Sequence, residues 1–477
     1  MINLQKIFQE NYKRWKTKEY IFEKKEGVYQ AVTYGWFMES VQKFAEYLLQ
    51  NGWQNKSVII YGPNSKEWMV ADLAVLAHTG ISVGVSNEWK YEDVKHTIEF
   101  LKSEILVYDI EKEDVVNELK REFPELHCIC MQKEMSDVTV EEAEAVCVPQ
   151  AEDTCCKIVF SSGTTADPKG VMLSLKNIFF GYASLTRRCP FNEEDVDYLF
   201  LPLSHTYGGI YNFLYSLISG YSIYLCSGMQ YLSEEIREVS PTIFCGVPLV
   251  YRRFYEAAGE NLKYCFGNRI AYLFCGGASF DKGIRKAYHE AGLNMMEAYA
   301  LSETASSLAI AYPFDKDFES SGTIFEDIEV KVQEPNENGI GEILVRGDNV
   351  FLGYVNAPEE TKRCFTSDGF FKTGDLGYLS ENKVYITGRN KKILIGENGE
   401  NVDAEELECL LLKKDNNINA AKVFLKDNML CCSLYLKEET DTDWDAFWND
   451  FNKELPKYKH IKNYKIYLDN VLVRLKQ

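Results

Sequence analysis

The feature that most restricts this chain is an exchange of helical and strand-like hydrophobic periodicity near its start. Phe37, Val41, Phe44, Ala45, Leu48 and Leu49 recur at helical spacing, and Gly52 follows where a left-handed residue ends a helix. Next come the apolar run Val58-Ile59-Ile60-Tyr61, a helical stretch from about Lys66 to His78, and a second apolar run from Ile81 to Val85. A short buried strand, a helix and a second strand form a βαβ unit, which demands a parallel sheet.

The same alternation returns downstream, with strand-like runs at Ile158 to Phe160, Ser222 to Cys226, Thr242 to Cys245, Tyr272 to Cys275 and Asn294 to Ala298. The fold class is therefore α/β, with a large N-terminal body of largely parallel sheets. From about Ser321 to Gly388 short strands with frequent glycine take over, as in Gly341-Glu342-Ile343-Leu344-Val345-Arg346-Gly347, and predict a β-rich subdomain. Beyond Arg389 the elements shorten. Asp403 and Glu406 have the spacing of a capping box, and Leu407, Leu410 and Leu411 offer one apolar face. The expected division is a body of residues 1–388, including a β-rich part at 320–388, and a small α+β domain at 389–477.

No window of roughly 18 apolar residues occurs, and the start lacks a charged-then-apolar leader, so a cytoplasmic protein without a membrane span is expected. The 14 cysteines are scattered, and the adjacent pairs Cys155-Cys156 and Cys431-Cys432 are poorly placed to bridge, which favours reduced thiols. His127-Cys128-Ile129-Cys130 has no second Cys/His pair at finger spacing and reads as a strand, not a zinc site. A net charge of -20, from 72 acidic and 52 basic residues, opposes binding to nucleic acid. Any polyanionic ligand must then be held by local donors.

Such donors are concentrated in Ser161-Ser162-Gly163-Thr164-Thr165-Ala166-Asp167-Pro168-Lys169-Gly170, directly after the strand Ile158-Val159-Phe160. Hydroxyls, glycine-freed N–H groups and one ammonium together cradle a polyphosphate. Lys169 precedes its glycine and no Ser/Thr follows, so this is not the G-x-x-x-x-G-K-[ST] loop. The plain structural alternative is a hydroxyl-rich turn.

This run resembles the T-S-G-T-T-G-x-P-K-G loop of the adenylate-forming superfamily, which includes acyl-CoA synthetases, luciferases and the adenylation domains of peptide synthetases. Ser161 and Ala166 depart from the pattern. Other segments follow in the family's order. Leu201-Pro202-Leu203-Ser204-His205-Thr206-Tyr207 is similar to the segment that flanks the substrate acid, and Cys275-Gly276-Gly277-Ala278 to the strand end beside adenine. Glu297-Ala298-Tyr299-Ala300-Leu301-Ser302-Glu303-Thr304 is similar to Y-G-x-T-E, Lys372-Thr373-Gly374-Asp375 to T-G-D, and Gly388-Arg389-Asn390-Lys391-Lys392-Ile393 to the interdomain junction.

The resemblance implies a two-step reaction, in which a carboxylate attacks the α-phosphate of Mg-ATP and a thiol then displaces AMP. It implies nucleotide-binding roles for Ser161, Ser162, Gly163, Thr164, Thr165 and Lys169, with Lys169, Thr164 and Thr165 on the pyrophosphate side, and a role for Glu303 as the Mg²⁺ ligand. Ser302 falls at a phosphate oxygen, Gly276, Gly277, Ala278 and Tyr299 at adenine, and Asp375 with Arg389 at the ribose. His205 borders the acid and the thiol entry, and Lys391 is the hinge of a mobile C-terminal domain. From His205 to Gly220 there is no Asp or Glu, while Tyr207, Ile210, Tyr211, Phe213, Leu214 and Tyr215 make the stretch apolar, so an acid without an α-amino group is expected. The acceptor is coenzyme A, or alternatively a separate acyl carrier protein. A catalytically impaired AMP- or acyl-binding relative is the other reading.

Family members end in P-x-T-x-x-G-K, whose lysine bridges the carboxylate and the α-phosphate. Asn470 to Gln477 has no such glycine, and Lys476 is the candidate lysine, offset by a residue or two, so the small domain reads as shortened. Slow adenylation with retained thioester formation is the corresponding expectation.

Overall fold

The computed structural model describes residues 4–76, 80–135, 152–161, 169–278, 280–389, 393–395, 401–426, 429–453, 455 and 459–468. The chain divides into two compact units. The first comprises Met1–Lys331, Leu344–Lys372 and Leu379–Tyr385, and the second Val332–Ile343, Thr373–Tyr378 and Ile386–Gln477.

In the first unit, Lys56–Tyr61 lies parallel to both Gly80–Val85 and Ile105–Tyr108. Cys155–Ser161 joins alongside Gly80–Val85, also parallel. Val58, Ile59, Ile60 and Tyr61 are all buried, the mark of a strand covered on both faces. The expected βαβ unit is present. Its helix, Lys66–Ala74, begins at Ser65, whose hydroxyl accepts from the Trp68 N–H at 3.1 Å. The preceding helix, Tyr34–Gln50, buries Phe37, Val41, Phe44, Ala45 and Leu48, and the chain leaves it through Gly52 at φ +74. The His127–Cys130 run is a strand parallel to Ile105–Tyr108.

A second sheet of this unit runs from Met295–Tyr299 through Tyr272–Cys275, Ile243–Gly246, Val196–Leu199 and Ser222–Leu225 to Glu19–Lys25, all parallel. Antiparallel strands flank it, Val28–Thr33 at one end and Ala309–Ile310 with Thr323–Ile324 at the other. Helices Leu232–Val239 and Pro248–Ala258 contribute Ile236, Tyr251 and Phe254 to a core shared with Phe244, Phe266 and Leu273. Burying aromatic rings of this size contributes about 2–3 kcal/mol each. Residues 320–388 are β-rich, interrupted by one short helix, Pro358–Arg363.

The second unit contains a three-stranded sheet. Ile418–Lys426 and Met429–Leu436 are antiparallel, and Asn463–Leu468 pairs with the latter in parallel. Helices Ala404–Lys414 and Trp444–Lys453 supply Leu407, Leu411, Trp448 and Phe451 to its core. Leu410 is exposed, so the apolar face of the first of these helices is narrower than its sequence indicates. The side chains of Asp403 and Glu406, the expected capping box, lie outside the described residues.

Every described cysteine is a free thiol. No helix among the described residues is long and apolar enough to cross a membrane.

Candidate functional site

Cys155–Ser161 and Lys169–Ser174 form an antiparallel hairpin in which Ser161 pairs with Lys169, so the two ends of the hydroxyl-rich run are held together. Ser162, Gly163, Thr164 and Thr165 lie outside the described residues. A third strand, Gly353–Tyr354, flanks the hairpin, with Tyr354 opposite Val171 and Gly353 opposite Met172. Gly170 permits this approach: its carbonyl accepts from the Val355 N–H at 2.9 Å, and a Cβ there would come within 3.0 Å of the Val355 side chain.

Glu303 sits in the short helical turn Ser302–Thr304 that follows the strand Met295–Tyr299. Two consecutive residues without glycine's freedom, Ala305 and Ser306, then adopt left-handed φ values of 47 and 58. Each costs about 1–2 kcal/mol and persists only where its surroundings enforce it. Here the enforcing bonds are Ser306 N–H to Leu301 O at 3.1 Å, Ser306 Oγ to Thr206 Oγ1 at 2.6 Å, and Asn349 Nδ2 to Ser307 O at 2.6 Å.

This turn and the hairpin meet at Tyr354. Its hydroxyl donates to Glu303 Oε1 at 2.7 Å, and the Lys169 ammonium lies 5.5 Å from its ring centroid. Burial and the Glu303 carboxylate push the Tyr354 phenol well above its ordinary range, so it remains a donor. Lys169 is also ion-paired with Glu360. Neither Tyr354 nor Glu360 is signalled by the sequence motifs. Among the described residues no cluster of three or more His, Cys, Asp or Glu could hold a metal. Glu303 fits a Mg²⁺ ion that takes its other oxygens from phosphate and water, the usual way this ion is bound beside a nucleotide.

Gly276, Gly277 and Ala278 follow the strand Tyr272–Cys275, and Tyr299 ends the neighbouring parallel strand, where Cys275 pairs with Glu297. All four lie at carboxyl ends of parallel strands, where α/β sheets bind ligands. Gly277, at φ +86, needs glycine. At Gly276 a Cβ would approach the Ala298 carbonyl at 3.4 Å and the Tyr207 ring at 3.6 Å. Tyr207 is fixed by its hydroxyl, which donates to the Phe274 carbonyl at 2.9 Å.

His205 is exposed at its edge yet crowded by protein, and this burial lowers its pKa below the ordinary value, favouring the neutral ring. The following residues form a π-helix, Tyr207–Leu214. Ile210, Phe213, Leu214 and Tyr215 are wholly buried, so much of the apolar character of this stretch serves core packing. A carboxylate does reach the helix from another strand: Asp197 Oδ2 accepts from Asn212 Nδ2 at 2.6 Å, and burial pushes Asp197 up to about 7. Glu297 is likewise pushed up to about 7 by burial, opposed by Arg285.

In the second unit, Asp375 is buried within the strand Phe371–Ser380. Its N–H donates to Thr373 Oγ1 at 3.0 Å, Thr373 donates to the Ile343 carbonyl at 2.8 Å, and Gly374 has a φ of +74. Arg389 ends the strand Lys383–Arg389, and its side chain is outside the described residues, as are Lys391 and Lys476.

The fold has clear counterparts. ATP-bound MatB from Rhodopseudomonas palustris superposes with a TM-score of 0.78 at 22% identity, covering 97% of this chain and 94% of that one. The o-succinylbenzoate CoA synthetase MenE from Bacillus subtilis, in complex with its acyl-adenylate intermediate, gives 0.79 at 23% identity over the same shares. Among curated proteins, the long-chain-fatty-acid CoA ligase ACSBG2 of Xenopus laevis is 24% identical over 93% of this chain and 70% of its own length. The ACSBG1 ligase of Rattus norvegicus is 25% identical over 88% and 70%. The family model described as AMP-binding enzyme matches residues 8–355, a span that takes in the hairpin, the strained turn and Tyr354 where they converge: the chain belongs to the AMP-binding enzyme family.

Proposed function

We propose that this chain is an AMP-forming acid–thiol ligase of the acyl-CoA synthetase kind. The observation that carries the reading is the convergence of Lys169 and Glu303 on Tyr354, which joins a phosphate-binding cation to a carboxylate ligand for Mg²⁺. In the first step a carboxylate oxygen of the acid bonds to the α-phosphorus of ATP, the bond to the bridging β-phosphate oxygen breaks, and pyrophosphate leaves. Lys169 with Thr164 and Thr165 holds the departing pyrophosphate, Ser161, Ser162 and Gly163 complete the nucleotide-binding loop, and Ser302 meets a phosphate oxygen. Glu303 would hold a Mg²⁺ ion, which would supply neutralisation of the charge that develops on the phosphates. Gly276, Gly277, Ala278 and Tyr299 flank adenine, while Asp375 and Arg389 bind the ribose hydroxyls. In the second step a thiolate attacks the acyl carbon and AMP departs. His205, neutral and at the edge of the acid site, borders the thiol's path.

The acid lacks an α-amino group, and long-chain fatty acids are the first class to try, because the relatives above carry that name. Coenzyme A is the acceptor. The reading further divides the chain into a body of residues 1–388, with its β-rich part at 320–388, and a small mobile domain at 389–477 hinged at Lys391. Its compartment is the cytosol, in keeping with free thiols throughout the described residues. Acid-dependent exchange of labelled pyrophosphate into ATP, run over acids of increasing chain length, tests adenylation. Thioester formation with coenzyme A against a carrier protein tests the acceptor. Absence of exchange with every acid overturns the reading.

A further inference from the structure

Both charged groups of the phosphate site already have counterparts inside the protein. The Lys169 ammonium is ion-paired with the Glu360 carboxylate, and the Glu303 carboxylate accepts from the Tyr354 hydroxyl. The lysine assigned to phosphate is thus already engaged by a carboxylate, and the glutamate assigned to the cation by a hydroxyl proton. The two partners belong to one short segment. Phe351 N–H donates to the Glu303 carbonyl at 2.8 Å, Leu352 N–H to Met172 O at 2.9 Å and Val355 N–H to Gly170 O at 2.9 Å. The segment then turns into the helix Pro358–Arg363, with Tyr354 N–H donating to Thr361 Oγ1 at 2.9 Å and Gly353 packed against the Thr361 side chain. Glu360 is therefore delivered to Lys169 by a backbone pinned to both the lysine's strand and the glutamate's turn. Its position does not depend on a freely swinging side chain alone.

We propose that Glu360 is an affinity-setting positioning residue of the nucleotide site: it holds Lys169 in competition with the polyphosphate of ATP, so that each nucleotide must displace an internal carboxylate before the lysine can bind it. This rests on the assignment of Lys169 to the phosphate. The pair is partly solvent-exposed, with side-chain accessibilities of 33% and 40%, so the competition is modest. Exposed pairs of this kind correspond to a factor of about two to five in an equilibrium constant. A group that merely supported the fold would lose stability on substitution. A competitor for the lysine gains ATP affinity.

The test is Mg-ATP affinity of the full chain by titration calorimetry, together with KM and kcat in the exchange assay, for wild type, Glu360→Gln, Glu359→Gln, Lys169→Ala and the Glu360→Gln/Lys169→Ala double variant. Glu359 is the adjacent exposed residue of the same helical turn, so its substitution removes the same charge without touching the pair. Glu360→Gln is expected to tighten Mg-ATP and lower its KM about two- to five-fold, with KM for the acid unchanged. Glu359→Gln leaves both constants as in wild type, and the gain from Glu360→Gln vanishes in the Lys169→Ala background. Unchanged or weakened ATP binding in Glu360→Gln overturns the proposal, as does an equal gain in Glu359→Gln or in the background lacking Lys169. A wild-type chain that binds no Mg-ATP, or a Lys169→Ala chain that binds it normally, overturns the nucleotide assignment itself and this proposal with it.

Discussion

Lys157, on the hairpin strand Cys155–Ser161, and Asp72, on the helix Lys66–Ala74, are both fully buried and form an ion pair of 2.5 Å. The Ser82 hydroxyl donates to the same carboxylate oxygen, and the Trp68 ring lies 5.7 Å from the ammonium. Removing one partner strands a charge in the interior. Lys157→Met is accordingly expected to cost about 3–5 kcal/mol in urea unfolding, and Lys157→Met/Asp72→Leu to recover most of the loss. A single variant as stable as wild type refutes the account.

Lys169 is half-buried at the mouth of a hairpin and supplies little to the core. Lys169→Ala is expected to raise KM for ATP by about ten-fold or more while shifting stability by less than about 0.5 kcal/mol. Exchange kinetics and a thermal melt on the same preparation separate the two effects. A variant that loses both together makes Lys169 a structural residue.

Tyr354→Phe keeps the ring beside Lys169 and its edge contact with Phe351, whose centroid is 4.8 Å away, but removes the hydroxyl from Glu303. On the proposed role of Glu303, the released carboxylate is expected to bind Mg²⁺ more readily. The Mg²⁺ concentration for half-maximal exchange should fall about two- to five-fold, matching a hydrogen bond worth about 1 kcal/mol or less. A rise in the Mg²⁺ requirement contradicts this.

Asp197 gives a pH signature. Burial raises its pKa from 3.8 to about 7 in the folded protein. Between these values the folded state binds more protons than the unfolded state, so this contribution to stability is full at low pH and is lost as pH rises through about 7. Urea midpoints of wild type should therefore fall between pH 5 and pH 8 more steeply than those of Asp197→Asn, which keeps an oxygen acceptor for Asn212. Equal slopes would show that Asp197 does not carry the effect.

Much of the architecture was legible because it follows from periodicity. The βαβ unit, the helix ending before Gly52 and the strand Ile158 to Phe160 all announce themselves by which residues they bury. Pairings made by very short elements were not legible. Gly353–Tyr354 is a two-residue strand with no period to read, yet it carries the tyrosine that joins Lys169 to Glu303. The contact of Thr206 with Ser306 was hidden for the same reason, since it depends on backbone angles that no local preference of alanine or serine predicts. In the stretch after His205, winding as a π-helix turns several of the apolar residues into the interior, a destination that hydrophobicity alone does not reveal. Lys157 shows the converse, a charged residue wholly inside a strand, its place decided by a partner far away in sequence.

The left-handed pair Ala305–Ser306 sets when, in the life of the molecule, the cost of placing Glu303 is met. With Glu303 as the proposed Mg²⁺ ligand, a flexible glycine turn would leave the carboxylate to be ordered afresh by every nucleotide, an entropy loss repeated at each turnover. Here the unfavourable angles are imposed during folding by Thr206, Asn349 and the Leu301 carbonyl. The expense falls once per chain synthesised, and every later catalytic cycle begins with the carboxylate already in place.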